Sequence, residues 1–461
     1  MTTNKPHTTL TSVKDVSGLL DSKTAQIGVI GLGYVGLPLA VEYARQGFNT
    51  VGFDVSTARV QKLNEGTNYI SDVPEEHFQE VIKSGLFTAQ DNYEGAADID
   101  VWYIAVPTPV TEYKDPDTSY IRSAAESIAP HIRAGQLIIL KSTTYPDTTE
   151  GIVQPIIEAE AKKKGLVLGK DWFLAFSPER IDPGNTQFTT ANTPVVVGGV
   201  TPACTEMAAL AMQQVVAHVH RVSSPKVAEM EKLLENIFRS VNIALVNELA
   251  RLCDRMGGIS MWEVVQAAAT KPFGFMPFYP GPGLGGHCIP IDPYYLSWLA
   301  RRYDFETSFI TLSARTNEDM PFYVVDAVVR AVAERGVKVA GAKVLVLGVA
   351  FKRDVDDTRH SPAEKILGLL MDGGFEQVSY ADPHVASFPF DTRKGEMTLE
   401  GVDLTASVVE EADVVLLLTD HSAFPYAMIA DKANVIIDTR NAFGNIPHDR
   451  EKIMLLGGGD F

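Results

Sequence analysis

A cysteine set in a run of glycines is the first place in this chain where chemistry is expected. Residues 281–298 read GPGLGGHCIPIDPYYLSW, with Cys288 behind four glycines and ahead of Pro290, Asp292 and Pro293. Glycine admits positive φ and lets backbone approach a ligand, while proline stiffens the chain on either side. The thiol is therefore expected on a rigid, turned loop. Among crowded backbone N–H groups it suits a nucleophile; a small cysteine buried in a structural turn fits the same residues. Upstream, Lys232 and Asn236 stand one turn apart in a helical pattern. A solvated polar stripe would look the same, but asparagine is a poor mid-helix residue and this helix leads towards the cysteine loop. Thr108, Thr143 and Glu179 close three apolar runs. Each alone reads as ordinary loop or helix-cap chemistry; together they mark one rim. Lys352, Arg359 and Arg440 also follow apolar runs, as cationic donors for a diphosphate or as surface charge in loops.

The elements that must hold these groups begin with QIGVIGLGYVGLPLAVEYARQGFNTVGFDV. A short strand at 27–30 leads into Gly31, Gly33 and Gly36, then a helix to about 46, a strand at 50–53 and Asp54. Gly31 makes the tight turn, Gly33 lets backbone near a pyrophosphate, and Gly36 lets helix and strand pack closely. Tyr34 and Val35 complete the loop. The pyrophosphate belongs at the helix N-terminus, and Asp54 accepts the ribose hydroxyls, which favours NAD over NADP. Arg59 stands where it can touch the adenosine end or remain a solvated helix residue.

Further strands are expected at 100–106, 136–140 and 172–176, alternating with helices at 119–131 and 147–164. Such β–α units make a parallel sheet covered on both faces, with ligands at the carboxyl ends of its strands. From 225 onwards, apolar residues recur at helical spacing over about 30 residues, or ~45 Å. A second helix at 260–270 precedes the cysteine loop, and another runs over 309–334. KVLVL at 343–347 opens a second α/β run, with strands at 378–380, 414–418 and 435–437. Its turn lacks the three-glycine fingerprint, so no second dinucleotide is expected. The fold class is α/β: two Rossmann-like, doubly wound parallel-sheet domains joined by a central long-helix domain. The expected division is a loose segment at 1–22, a dinucleotide domain at 23–222, a helical domain with the cysteine loop at 223–336, and a second Rossmann-like domain at 337–461.

The totals narrow the class. Of 461 residues, 45% are apolar and 21% charged, and the formal net charge is −18. That field repels nucleic acid and anionic membranes, while leaving room for an anionic small molecule in a basic pocket. The three cysteines, Cys204, Cys253 and Cys288, give no disulfide framework and no zinc spacing, so no metal is expected. Few cysteines, a polar start and no long apolar run point to a cytoplasmic protein with no membrane span. The long helix offers an apolar face for a homodimer or higher homo-oligomer.

Taken together, the chain resembles the UDP-sugar 6-dehydrogenases of the UDP-glucose/GDP-mannose dehydrogenase superfamily over almost its whole length. The matching stretches are GLGYVG at 31–36, VPTP at 106–109, KSTTYP at 141–146, SPER at 177–180, EKLLEN at 231–236, GPGLGGHCIP at 281–290 and FKRDVDDTR at 351–359. Within the family it is most like the bacterial branch acting on UDP-N-acetylglucosamine for surface polysaccharides such as O-antigen. KPFGF at 271–275, SPERIDPGN at 177–185 and GGHCIPIDPYYL at 285–296 carry that likeness.

The resemblance implies oxidation of the sugar C6 hydroxyl by NAD in two steps, with Cys288 holding the intermediate as a thiohemiacetal and then a thioester. It implies that Lys232 and Asn236 stabilise the C6 oxyanion. Glu179 and Thr143, through a water, would assist proton removal and hydrolysis, and Asp292 would position water or Lys232. Gly31, Gly33, Tyr34, Val35, Gly36, Asp54, Arg59, Thr108, Thr143 and Arg359 would contact NAD. The UDP-sugar would meet Glu179, Arg180, Lys232, Asn236, Tyr279, the loop backbone at Gly285, Phe351, Lys352 and Arg440. Three positions depart from the UDP-glucose branch: Pro183 replaces a glutamate, His287 a common serine and Tyr279 a lysine. His287 could tune the thiol or serve as a structural hydrogen-bonding group. Other readings are a dehydrogenase of UDP-glucose, UDP-N-acetylmannosamine or UDP-N-acetylgalactosamine, a single-oxidation alcohol dehydrogenase, or a non-catalytic NAD-binding regulator.

Overall fold

The computed structural model describes residues 13–70, 72–111, 113–180, 188–286, 289–446 and 450–459 together with Phe461. The chain forms two compact units. One comprises Met1–Glu235 and Tyr294–Leu299, the other Asn236–Pro293 and Ala300–Phe461.

The first unit is built on eight strands. These are β1 (Gln26–Ile30), β2 (Asn49–Phe53), β3 (Phe87–Gln90), β4 (Val101–Ile104), β5 (Gln136–Leu140), β6 (Trp172–Phe176), β7 (Val195–Gly199) and β8 (Val219–Val222). Their order is β3-β2-β1-β4-β5-β6-β7-β8. From β3 to β6 every pair is parallel, and only β6 meets β7 antiparallel. The order reverses between β1 and β4, the switch point where doubly wound sheets bind ligands. The central strands are apolar without a break because both faces are covered. Val101, Tyr103, Leu137, Ile139 and Phe173 enter one core cluster. Trp102, Ile104, Ile138, Leu140 and Leu174 enter another. Alternation along each strand sends neighbours to opposite faces, and each such burial stabilises by ~1.5–3 kcal/mol.

Residues 13–21, expected to be loose, form the helix Val13–Asp21. Val16 and Leu20, one turn apart, are fully buried in the first core cluster, which is what orders this segment. The helix expected over 147–164 opens instead with a π turn, Thr149–Val153, before continuing as Gln154–Lys163. Pro155 has no N–H to donate to Gly151, so the regular ladder cannot start earlier.

The second unit contains β9 (Lys343–Leu347), β10 (Gln377–Ala381), β11 (Ser387–Thr392), β12 (Gly395–Glu400), β13 (Val414–Leu417), β14 (Ile436–Asp438) and β15 (Ile453–Leu455). β10-β9-β13-β14-β15 form an all-parallel sheet, and β11 with β12 form an antiparallel hairpin that the sequence did not announce. The same two-faced packing recurs: Val344, Val346 and Leu416 enter one cluster, Leu345, Leu347 and Val415 another. The long helix Pro225–Met256, of 32 residues, begins in the first unit and continues in the second. The helix Ser308–Glu334 carries Pro321 in its interior. Among the described residues no helix is long and apolar enough to cross a membrane.

Candidate active site

In the first unit, the glycine loop follows β1 at the switch point. Gly31 has φ +89°, and a Cβ there would lie 2.5 Å from the Ala105 carbonyl after β4. A Cβ on Gly36 would lie 1.8 Å from the Gly31 carbonyl oxygen, so helix and turn touch backbone to backbone. Gly33 has no heavy atom within 4 Å of its Cβ position. That opening is what a pyrophosphate needs in order to approach the N–H groups of the loop. Tyr34 and Val35 are half-buried beside it.

Asp54 accepts the Leu32 N–H on Oδ2 at 2.9 Å and the Ser56 N–H on Oδ1 at 2.9 Å. A carboxylate has about four acceptor sites, so both oxygens keep capacity for ribose hydroxyls. Arg59 Nη1 lies 3.6 Å from Asp54 Oδ2, and its guanidinium carbon is 5.8 Å from the Tyr69 ring centre. The Tyr69 hydroxyl donates to the Leu32 carbonyl at 2.7 Å. Burial, helped by the Asp54 charge, pushes that phenol up to about 12.

The segments that follow β4, β5 and β6 also lie in this unit. The Ser142 hydroxyl donates to the Val106 carbonyl at 2.7 Å, joining two of them. Thr108 is buried and its carbonyl accepts the Tyr295 hydroxyl. Thr143 is half-buried. Lys141, 1% exposed, places Nζ 3.3 Å from Glu179 Oε2. Arg180 turns to the long helix, where it pairs with Glu231 and Glu235, and donates to the Pro194 carbonyl at 3.0 Å. Burial, reinforced by Glu235, lifts the Glu231 carboxyl to about 7. Glu229, on the same helix, takes the Asp147 N–H at 2.8 Å and the Thr149 N–H and hydroxyl at 2.9 and 2.7 Å. It thereby caps the π turn, and burial pushes its carboxyl up to about 7. Lys232 is 8% exposed, and no described residue is hydrogen-bonded or ion-paired to its ammonium. A buried cation without a counter-charge is costly unless a ligand supplies one.

In the second unit, the Asn236 amide donates to Asp292 Oδ2 at 2.5 Å, both side chains being buried. The glycine loop is tied to two helices: the Gly281 N–H donates to Asn247 Oδ1 at 3.0 Å, the Asn247 amide to Asn317 Oδ1 at 2.9 Å, and the Asn317 amide to the Ser240 carbonyl at 3.1 Å. The loop also packs against the second Rossmann-like sheet. A Cβ on Gly285 would lie 2.8 Å from Phe351 Cβ and 3.2 Å from the His360 carbonyl. One on Gly281 would lie 3.0 Å from Arg440 Nη1. The Gly286 N–H donates to the Arg359 carbonyl at 3.1 Å.

Phe351, Arg440 and the loop are thus neighbours, as a shared nucleotide site requires. Arg440 donates to the Leu418 carbonyl at 2.8 Å, and burial holds its basicity below the usual arginine level. The Arg359 guanidinium donates to Asp357 from Nε at 2.9 and 3.1 Å and from Nη2 at 2.6 Å. Lys352 is half-buried, and the partly exposed Tyr279 stacks on Trp262 at 5.3 Å. Pro183, His287 and Cys288 lie outside the described residues.

Several supporting residues escaped the sequence reading. His421 is fully buried; its Nδ1 accepts the Asp354 N–H at 3.0 Å, so the proton resides on Nε2, 3.1 Å from Asp382 Oδ2. Asp382 also takes the Val349 N–H at 2.7 Å. Burial raises the Asp382 carboxyl, but the His421 bond and its backbone donors prevail and hold it below the ordinary range. Asp354, with φ +57°, opens the bend after Lys352. Asparagine in mid-helix, the signal used for Asn236, would also have pointed to Asn247 and Asn317. Nothing local marked Lys141, Glu229 or His421.

Comparison with known proteins matches three family models: the NAD binding domain of the UDP-glucose/GDP-mannose dehydrogenase family over residues 25–216, its central domain over 226–319 and its UDP binding domain over 345–445. A UDP-N-acetyl-D-glucosamine 6-dehydrogenase of Pseudomonas aeruginosa is 38% identical over 79% of this chain and 84% of its own. A UDP-N-acetyl-D-mannosamine dehydrogenase of Yersinia pestis is 34% identical over 90% of this chain and 99% of its own. The structure of a UDP-D-ManNAc dehydrogenase from Pyrococcus horikoshii superposes with a TM-score of 0.83 at 32% identity, covering 95% of this chain and 100% of that one. The chain belongs to the UDP-glucose/GDP-mannose dehydrogenase family, and its cofactor is NAD.

Proposed function

We propose that the protein oxidises UDP-N-acetyl-D-glucosamine at C6 to the uronate, in two oxidations on one active-site thiol. The observation that carries the reading is the largely buried Lys232, whose ammonium bonds to no described residue, one turn from an Asn236 amide already oriented by Asp292. A cation with no described counter-charge, followed one turn on by an amide that Asp292 holds in place, suits an oxyanion that exists only during reaction. Residues 23–222 would hold NAD, 223–336 carry the cysteine loop and 337–461 hold the UDP.

NAD⁺, when bound, accepts the hydride that leaves C6 in each oxidation. Gly31, Gly33, Gly36 and Asp54 position it through the loop N–H groups and the ribose hydroxyls, with Tyr34, Val35, Arg59, Thr108, Thr143 and Arg359 alongside. After the first oxidation the Cys288 thiolate adds to the aldehyde carbon, and Lys232 and Asn236 stabilise the resulting oxyanion. The second leaves a thioester. Water then attacks that carbonyl, gives its proton to Glu179 with help from Thr143, and expels the thiolate. Asp292 orients Asn236 throughout. The balance is one alcohol, one water and two NAD⁺ to one carboxylate, two NADH and three protons. Phe351, Lys352, Arg440 and the backbone at Gly285 would grip the UDP, with Arg180 and Tyr279 nearer the sugar.

The N-acetylglucosamine choice is supported by the Pseudomonas aeruginosa relative and by Pro183, His287 and Tyr279, which depart from the UDP-glucose branch. The mannosamine epimer is the second reading, favoured by the Yersinia pestis relative and the Pyrococcus horikoshii structure. Initial rates over a panel of UDP-sugars separate them, and N-acetylglucosamine turned over no faster than its rivals overturns the choice. Two NADH per sugar are expected, and Cys288→Ser should stall; full activity in that variant removes Cys288 from the mechanism. We include self-association in the reading, supported by Val227, Met230, Leu234, Leu245 and Leu252, exposed at helical spacing on the long helix. A monomer in sedimentation at working concentration would refute it.

A further inference from the structure

The most deeply buried lysine near this chemistry has no part in the reaction above. Lys141 follows β5 directly and is 1% exposed. Its Nζ lies 3.3 Å from Glu179 Oε2 and 3.4 Å from the Pro178 carbonyl oxygen. Both contacts belong to one turn, the turn that follows β6. β5 and β6 pair in parallel with Leu140 opposite Phe176, so the lysine and the turn leave adjacent strands at the same level. An ammonium so far from water is tolerated only when a counter-charge and a dipole meet it. Here they are supplied by the Glu179 carboxylate and the Pro178 carbonyl beside it.

Glu179 Oε1 accepts the Arg180 N–H at 2.8 Å, while the neighbouring cationic side chains are placed otherwise. Arg180, next in the chain, is spent on Glu231 and Glu235 of the long helix. Lys232, on that helix between them in sequence, makes no ion pair with any described residue.

We infer that Lys141 is the positioning residue for Glu179. Its ammonium fixes the carboxylate's rotamer, so that the group is placed to take a proton from the water that attacks the thioester. The inference rests on the role given to Glu179 above. Lys141 touches neither sugar nor nicotinamide; it acts on hydrolysis through Glu179.

The test is a double-mutant cycle on the full-length enzyme with Lys141→Met, Glu179→Gln and the pair. Acid-quenched enzyme is read by intact mass for the acyl adduct, beside kcat and KM. Each single variant is expected to accumulate acyl-enzyme and lose at least ~10-fold in kcat with KM within about twofold, and the double variant to be no worse than the weaker single. Lys141→Arg, which keeps the cation, is expected to remain within a few-fold of wild type. Multiplicative losses, or a Lys141→Met enzyme that neither slows nor accumulates adduct while Glu179→Gln does, overturn the Lys141 role alone. Wild-type turnover in Glu179→Gln overturns the Glu179 assignment and this inference with it. Where Lys141→Met does not fold, Lys141→Gln, which keeps one donor, enters the same cycle under the same criteria.

Discussion

Replacing Asn236 by aspartate changes one atom's identity and almost no volume, yet it sets two carboxyl groups face to face. The Asn236 amide nitrogen is 2.5 Å from Asp292 Oδ2, and both side chains are buried. At an effective dielectric of about 20, two unit charges at that separation repel by ~7 kcal/mol. That corresponds to about five pKa units, so one carboxyl of the pair should keep its proton from its ordinary range near 4 up to about pH 9. The folded-state pKa is raised, so the pair is compatible with the fold at low pH and costs stability as pH climbs through that window. Asn236→Asp should therefore trail the wild-type melting temperature only slightly near pH 5 and fall progressively further behind it by pH 9. At pH 7 the retained proton still bridges the two residues, but the second amide N–H is gone. Loss of one oxyanion donor predicts a fall in kcat of ~10²–10³ with little change in KM. Thermal melts from pH 5 to 9, with NADH release at saturating substrate, measure both. A melting difference that does not vary with pH refutes the electrostatic argument, and near-wild-type kcat refutes the donor role.

Three further perturbations have defined outcomes. Gly36→Ala sets a Cβ 1.8 Å from the Gly31 carbonyl oxygen; the loop must shift, and NAD affinity by calorimetry should drop at least ~10-fold with a cost of about 1–3 kcal/mol in stability. Unchanged NAD binding would show that the glycine turn does not shape the cofactor site. His421→Phe leaves the Asp354 N–H and the Asp382 carboxylate each short of a partner, at about 1–3 kcal/mol apiece. It should loosen the segment carrying Phe351 and Lys352, raising KM for the UDP-sugar more than it lowers kcat; equal loss in both would count against that route. Glu229 has its carboxyl raised from 4.5 to about 7 by burial. A raised folded-state value means that wild-type stability declines as pH rises from 4.5 to 7. Glu229→Gln, neutral throughout, lacks that slope, so its melting temperature should gain on wild type between pH 5 and 7.5, and a constant offset would refute the titration.

Much of the frame was legible because its signals are local. The glycine spacing at 31–36 and the acid at 54 encode a turn, a close approach and an acceptor within one β–α–β unit. Unbroken apolar strands such as WFLAF at 172–176 declared a sheet buried on both faces. The helix at 13–21 was missed because a few apolar residues in a polar start do not outweigh composition, and only the core that Val16 and Leu20 enter gives them meaning. The β11–β12 hairpin was missed because its alternation runs through charged residues and a proline.

The sequence by itself determined which chemistry was available: a dinucleotide turn, a thiol among glycines and prolines, and an amine and an amide one turn apart on a helix. Those depend on residues within reach of one another along the chain. Only the tertiary structure decided how the charges are shared. Lys141 meets Glu179 because β5 and β6 pair in one register; Arg180 goes to Glu231 and Glu235; Asn236 finds Asp292, and Asn247 finds Asn317. Each pairing joins residues far apart in sequence. Its energy comes from the partners meeting at a fixed distance with little water between them, which no stretch of sequence specifies until strands and helices are in place.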